Sequence, residues 1–165
     1  RQVEIGRYYS CALDDDGVKC WGRFQEYSQV PLFNNPRQIS IFTVTGCAID
    51  DTGVVCWGDT TYDQHLVPSL VNPRQVSVGE KHACALDDTG VVCWGNIAAP
   101  PALQNPTEIA SGFDHTCALD GSEVICWGSG ALEPPEMVFP TTQNPNNSRL
   151  EAAQLILPIL NLLLE

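Results

Sequence analysis

One twelve-residue frame occurs four times in this chain, and it constrains the fold more than any other feature. Each copy begins with a cysteine, and its second cysteine stands near the end, followed by Trp-Gly. The copies read CALDDDGVKCWG, CAIDDTGVVCWG, CALDDTGVVCWG and CALDGSEVICWG, starting at positions 11, 47, 84 and 117. Steps of 36, 37 and 33 residues are typical of propeller blades or short solenoid repeats, which bury their apolar faces by stacking.

Each frame is preceded by a short alternating segment and followed by two prolines. Alternation such as Val76-Ser77-Val78 has the period of a β-strand with one buried face. The second proline follows an asparagine, as at Asn72-Pro73. Because proline cannot donate to a strand ladder, these proline segments are predicted to be turns or edge connections.

The repeats predict an all-β fold of four propeller-type blades, each an antiparallel sheet of about 36 residues. The blades would form an open arc or part of a larger assembly, followed by a C-terminal apolar helix. The predicted domains are a four-repeat domain over 1–145, divided into 1–36, 37–73, 74–106 and 107–145, and a helix over 146–165.

The frame also predicts disulfides. If Asp14 to Gly17 form a four-residue turn, Cys11 lies directly opposite Cys20 on the paired strand, within the range that a disulfide tolerates. The other copies have the same spacing, so the predicted pairs are Cys11–Cys20, Cys47–Cys56, Cys84–Cys93 and Cys117–Cys126. Four pairs of reduced, buried cysteines are the alternative, whereas zinc is disfavoured because the C-x2-C spacing of structural zinc sites is missing.

Cysteine usage and charge restrict the compartment and the partners. Eight cysteines with none left over indicate a secreted or cell-surface protein. The net charge is −12, with only eight scattered basic residues, which argues against nucleic acid as a partner. Because Arg1-Gln2-Val3 is in phase with Arg37-Gln38-Ile39, a processed chain and a trimmed fragment both fit.

The repeat resembles the regulator of chromosome condensation repeat, in the short cysteine-containing form of bacterial extracellular proteins. The resemblance rests on CALDDTGVVCWG, on NPRQVSVG at 72–79, and on Tyr62-Asp63-Gln64 with Val67-Pro68, and it extends over about residues 1 to 145. It implies β-propeller blades, which the family usually closes into a ring of seven, whereas this chain has four. Bacterial propeller inhibitors of β-lactamase, which act as protein-binding scaffolds, are the nearest functional analogy.

Aromatic and polar residues at repeated positions have structural interpretations. Large rings at one repeated position are expected to pack between blades, namely Trp21, Trp57, Trp94 and Trp127. His82 and His115 also share a repeat position, two residues before a cysteine. The other two copies have Tyr9 and Thr45 there, which indicates a hydrogen-bonding spacer. The aspartates of the hairpin turns are explained by turn chemistry, with calcium binding along an acidic rim as the alternative.

The C-terminal segment departs from the repeat. Ser148-Arg149-Leu150-Glu151 has the form of a capping box, and the apolar residues beyond it predict a helix that needs cover on several faces. The predicted assembly positions are Leu150, Leu155, Ile156, Ile159, Leu160 and Leu163. Three contacts could cover this helix: self-association, packing on the chain's own blades, or a membrane. A membrane is disfavoured because the apolar segment is short and interrupted by a proline.

No catalytic motif is recognisable, so the sequence predicts a protein that is not an enzyme and needs no cofactor or metal. The primary hypothesis is an extracellular module that assembles with copies of itself into a surface or filament-like structure. Lys19, in place of Val55 of the second copy, indicates that the first blade has an uncovered face. The alternative is a soluble binder or inhibitor of a foreign protein through variable loops, with candidate anchors Phe24, Tyr27, Tyr62 and Phe139.

Overall fold

A computed structural model describes residues 1–23 and 29–131, which fold into four antiparallel sheets of three strands each. The strands follow one another in chain order within every sheet. They are β1 (Gln2–Ile5), β2 (Tyr9–Asp14), β3 (Gly17–Gly22), β4 (Gln38–Phe42), β5 (Thr45–Asp50), β6 (Gly53–Gly58), β7 (Gln75–Val78), β8 (His82–Asp87), β9 (Gly90–Gly95), β10 (Pro106–Ser111), β11 (His115–Asp120) and β12 (Glu123–Gly128). The predicted all-β architecture of four propeller-type blades is confirmed, and we number the sheets blade 1 to blade 4 along the chain.

The repeated cysteine frame forms the hairpin between the second and third strands of each blade. In blade 1, Cys11 lies opposite Cys20, and the other frames have the same register. The four disulfides join the pairs that this register predicts, with Cα atoms 4.0 to 4.1 Å apart. In blades 1 to 3 the turn ends on a glycine such as Gly53, whose φ of 123° would strain a side chain, whereas blade 4 has Glu123 at this position and a positive φ at Gly121.

Alternation along the strands gives each blade two apolar faces. Between blades 2 and 3, Cys47 and Ile49 pack against a group that includes Val76, Val78 and Trp94. Equivalent clusters lie between blades 1 and 2 and between blades 3 and 4. We call the side that packs on the preceding blade the leading face and the opposite side, which carries the disulfide, the trailing face. The core therefore lies between blades, as stacking of repeats requires.

In blades 2 to 4 the hairpin aspartates attach the connection that enters the blade. Asp87 accepts hydrogen bonds from the backbone N–H of Val71 (2.8 Å) and of Thr89 (2.7 Å). Asp50 of blade 2 makes the same bonds to Asn34 and Thr52. Burial raises the pKa of Asp87, but these hydrogen bonds outweigh it and hold the pKa below the usual value. The carboxylates therefore act as structural acceptors within the turns.

Several predicted features lie outside the described residues. These are the C-terminal helix over 146–165 and the residues Phe24, Tyr27, Phe139, Leu150, Leu155, Ile156, Ile159, Leu160 and Leu163. No helix in the described part of the chain has the length and apolarity needed to cross a membrane.

Candidate functional site

The first strand of each blade pairs with a neighbour on one side only, so its other edge carries unpaired backbone groups. The four edge strands are β1, β4, β7 and β10. Ile39 in β4 and Val76 in β7 direct their N–H and C=O away from the middle strand of their own blade, toward side chains of the preceding blade. Such an edge needs other partners, because an unpaired backbone group is costly when buried and invites pairing with another chain when exposed.

A glutamine side chain from the preceding blade satisfies this edge. The Gln38 amide accepts from the N–H of Val76 (2.8 Å) and donates to the C=O of the same residue (2.9 Å). Gln2 bridges Ile39 in the same way, with distances of 2.9 and 2.7 Å. Gln75 bridges Ile109 with two bonds of 2.8 Å. We call Gln2, Gln38 and Gln75 the ladder glutamines, because one of them spans every blade boundary in the described residues.

A serine two positions later adds a second contact at two of the boundaries. Ser40 Oγ accepts from the N–H of Val78 (3.1 Å), and Ser77 Oγ accepts from the N–H of Ser111 (2.8 Å). Blade 1 has Glu4 at this position, and its carboxylate accepts from Gln2 of the same strand. The glutamine is therefore the contact common to all three boundaries.

The leading face of blade 1 is exposed, unlike those of the other blades. Val3 is 66% and Ile5 79% exposed, whereas Ile39 and Ile41, their counterparts in blade 2, are 0% and 5% exposed. Trp21 is 54% exposed, so the expected packing between blades does not apply to it: no described blade precedes blade 1.

The other three repeat tryptophans are enclosed at blade boundaries. Trp57, Trp94 and Trp127 are 6% to 8% exposed and belong to the three apolar clusters. Lys19, in contrast, is exposed on the leading face of blade 1, and its ammonium pairs with Asp14 and Asp16 of its own hairpin. Blade 1 thus has an apolar leading face of repeat type with a charged outer strand.

The trailing face of blade 4 differs at both edge-contact positions. Glu108 stands where blades 1 to 3 have a ladder glutamine, and Ala110 stands where blades 2 and 3 have a serine. Both residues are exposed. The two ends of the described stack are therefore chemically different.

Tyr62 is the one candidate loop anchor among the described residues, and it is half-buried. The ammonium of Lys81 lies 5.1 Å from the centre of its ring. Nearby Gln64 is fully buried, and its C=O accepts from the indole N–H of Trp94 (2.7 Å). This connection is therefore packed onto blade 3, which leaves Tyr62 a modest exposed surface.

A polar cluster lies buried between blades 3 and 4. His82 Nε2 is 2.8 Å from Thr116 Oγ1, which is also 3.0 Å from Ser111 Oγ. Burial lowers the pKa of His82 to about 4, so the imidazole is neutral near pH 7. Because His82 and Thr116 are fully buried, a substrate would not reach them, and the geometry fits a structural hydrogen-bonding role. Nowhere in the described residues do three or more histidine, cysteine, aspartate or glutamate side chains converge as metal ligands would.

The ladder glutamines carried no assigned role in the sequence analysis. The sequence does show the repeat of these residues: Gln2, Gln38 and Gln75 each precede an apolar strand residue, and the fourth copy has Glu108 instead. A single strand gives no indication of whether such a side chain faces solvent or the backbone of the next blade. The contact became recognisable only from the stacking of the blades.

Comparison with known proteins agrees with the repeat geometry. Residues 74–96 match the Regulator of chromosome condensation (RCC1) repeat. One repeat of the chain thus matches the RCC1 repeat, and the other three share its twelve-residue frame. These repeats carry one disulfide per hairpin, consistent with the cysteine-containing form. No relative is found among curated protein sequences.

Solved structures share the blade architecture of these repeats. The CRINKLY WD40 ectodomain of the Arabidopsis thaliana receptor kinase ACR4 is 26% identical, with a TM-score of 0.67, and the match covers 84% of this chain and 52% of that one. The entire ectodomain of the Physcomitrella patens receptor kinase CR4 is 22% identical, with a TM-score of 0.71, and the match covers 84% of this chain and 43% of that one. Yeast RCC1 (Prp20), in a structure with Kap60, is 17% identical, with a TM-score of 0.62, and the match covers 78% of this chain and 43% of that one. The chain thus spans about half the length of the solved structures it resembles.

Proposed function

We propose that this chain is a non-catalytic extracellular protein-interaction module, and that the leading face of blade 1 packs against a further blade or another protein. The observation that carries the proposal is the exposure of Val3, Ile5 and Trp21 at positions that are buried in the other blades. Contiguous exposed apolar surface on a folded domain is typical of a protein-binding site. Here the surface has the shape of a face that already packs well three times within the same chain.

The extracellular part of the proposal rests on the disulfides and on the relatives. Disulfides persist in oxidising compartments and are rare in the cytosol, and every described blade has one. Two of the similar structures are receptor kinase ectodomains. A non-catalytic role is supported by the burial of His82 and by the structural use of the turn aspartates.

Binding of other proteins has precedent among the similar structures, since yeast RCC1 is seen with Kap60. Self-assembly, the primary hypothesis from sequence, would need either the C-terminal segment or the fit of blade 4 against blade 1 of a second copy. Binding through variable loops is the other candidate, but Tyr62 is packed against Lys81, whereas Ile5 is largely exposed. We therefore place the principal binding surface on the leading face.

The experiment compares two surface variants of the full chain. Ile5→Lys/Trp21→Lys places charges on the leading face, and Leu66→Lys places one on an apolar connection residue that is 58% exposed. Proteins from the extracellular fraction that bind the unaltered chain are purified, and their affinities are measured by calorimetry. We expect the double variant to weaken binding at least roughly tenfold and Leu66→Lys to leave it unchanged. Equal affinities for both variants would refute the proposed surface.

A further inference from the structure

The third strand of every described blade forms its outer edge, because it pairs with the middle strand on one side only. In blades 2 and 3 this strand is β6 or β9, and both read GVVCWG. We call β6 and β9 the outer edges; the connections that follow them, 59–74 and 96–105, are described throughout. Neither strand contains a proline or a charged residue, the usual protection of an exposed edge, whereas β3 has Lys19 and β12 has Glu123.

The register identifies the backbone groups that point off the outer edges. Cys47 and Cys56 lie directly opposite each other with Cα atoms 4.0 Å apart, the close spacing of a pair that is not hydrogen-bonded. The N–H and C=O of Cys56 are therefore directed away from β5, and so are those of Val54, two positions earlier. Cys93 and Val91 have the same arrangement in blade 3. Among the described residues, none of these outward groups has a hydrogen-bond partner, although the four residues are partly exposed.

We infer that the outer edges bind an extended segment of a basic polypeptide as an added β-strand. An extended backbone presents a donor and an acceptor at every second residue, which is the pattern that an unpaired edge requires. Main-chain hydrogen bonds would hold the added strand, and its side chains would alternate between the two sides of the blade. This site lies on other strands than the leading face of blade 1 and therefore goes beyond the proposed function.

Charge favours a basic partner. The chain has a net charge of −12, and the turns that begin the two outer edges each carry an exposed carboxylate, Asp51 or Asp88. The arginine partners of these carboxylates are distant, at 3.8 and 3.9 Å, and Asp59 follows β6 directly. Lysine or arginine residues that flank an added strand would lie near these carboxylates, and the attraction would favour both encounter and binding.

Charge also disfavours a second copy of this chain as the occupant. Antiparallel pairing of two β6 strands would set Asp51 of one copy near Asp59 of the other, at both ends of the paired strands. It would also bring together two molecules that each have a net charge of −12. Like charges at paired strands are unfavourable and discriminate against this pairing. The inferred occupant is therefore a different polypeptide.

The test uses the full chain and a synthetic peptide with blocked ends, Lys-Thr-Val-Thr-Val-Thr-Val-Lys, whose β-branched residues favour an extended backbone. Two matched peptides are compared with it. One is methylated on the backbone nitrogen of every threonine and valine, and the other has glutamate in place of both lysines. Binding is followed by NMR titration, and hydrogen exchange is measured at the outward amides of Val54, Cys56, Val91 and Cys93.

Two variants of the chain test the edge from the other side. Val54→Pro/Val91→Pro removes one outward N–H from each outer edge and leaves the N–H groups of the internal ladder in place. Val54→Thr/Val91→Thr is the matched control, because threonine has nearly the shape of valine and keeps the N–H. Thermal unfolding establishes that both variants are folded, and if the proline variant is not, the methylated peptide decides.

We expect the lysine peptide to slow exchange at the outward amides and to bind at least roughly tenfold more tightly than either altered peptide. The proline variant should weaken binding by a similar factor, and the threonine variant should retain it. The inference is overturned if the lysine peptide does not bind, or if the methylated or the glutamate peptide binds equally well. Outward amides that are already protected without peptide would also overturn it, because another segment would then occupy the edge. The proposed function would survive each of these results, since blade 1 takes no part in them.

Discussion

His82 of blade 3 and Thr116 of blade 4 are joined across the blade boundary, with His82 Nε2 2.8 Å from Thr116 Oγ1. Both side chains are fully buried, and His82 Nδ1 has no hydrogen-bond partner in the described structure. Burial is the main cause of the lowered pKa of His82; His115 lowers it further, and Asp114 opposes the shift. The boundary is therefore built for a neutral imidazole.

Acidification should destabilise the domain through His82. Its pKa is about 4 in the folded chain, against an ordinary value of 6.5, so the unfolded chain takes up the proton first as the pH falls. Stability present above pH 6.5 is then lost progressively toward pH 4, by at most about 3 kcal/mol. Urea unfolding across this range measures the loss. His82→Thr should flatten the dependence, and His65→Gln, at an exposed position, should leave it as in the unaltered chain; a dependence that survives His82→Thr would contradict the assignment.

Gly79 leaves the space that the His82 ring occupies. A Cβ at position 79 would lie 2.3 Å from Cε1 of His82 and 2.6 Å from the C=O of Gly112. Gly79→Ala should therefore destabilise the domain by about 1–3 kcal/mol through overpacking. His82→Thr removes the ring clash but not the contact with Gly112, so the double variant should lose less stability than the two single losses combined. Thermal unfolding of the four proteins completes the cycle, and strict additivity would show that the ring is not what excludes the alanine.

The hairpins and their disulfides were predictable because their determinants are local. Turn chemistry and the spacing of Cys84 and Cys93 place the two cysteines opposite each other whatever surrounds the blade. The stacking of repeats likewise followed from the period alone. The exposed leading face of blade 1 was indicated by one residue, Lys19, whose charge would be costly in an apolar boundary.

The contacts between blades were less predictable, since they depend on which atoms meet across a boundary. Phe42 of blade 2 stands where the other copies have a glycine, and the residue three positions later, Thr45, is also smaller than its equivalent His82 in blade 3. In blade 3 the ring of His82 fills the space above Gly79, whereas blade 2 has the small Thr45 at the His82 position and tolerates a large residue at 42. The Phe42 ring lies edge-on to Phe113 of blade 4, with centroids 6.4 Å apart. A linear sequence does not show such pairings.

Removal of the Asp87 carboxylate should release the connection that precedes blade 3. Asp87 is 1% exposed and accepts from the N–H groups of Val71 and Thr89. Asp87→Ala leaves these donors without their acceptor, so we expect a loss of about 1–3 kcal/mol in the free energy of unfolding. Asp88→Ala is the matched control, because Asp88 is exposed and its side-chain contacts, a 3.9 Å ion pair with Arg74 and a 2.8 Å hydrogen bond from the Asn72 amide, lie at the surface. Chemical unfolding that gives the same loss for both variants would argue against the structural role of Asp87.

The ladder glutamines should stabilise the domain itself, independently of any partner. Gln75→Ala leaves the N–H and C=O of the buried Ile109 unpaired, for an expected loss of about 1–3 kcal/mol. Gln75→Glu keeps an acceptor for the N–H but sets a carboxylate oxygen against the C=O, so the loss should be at least as large although the side chain keeps its size. Gln104→Glu introduces the same charge at an exposed position and should change stability by less than about 0.5 kcal/mol. If urea unfolding found Gln75→Glu as stable as Gln104→Glu, the amide would not be required at the blade boundary.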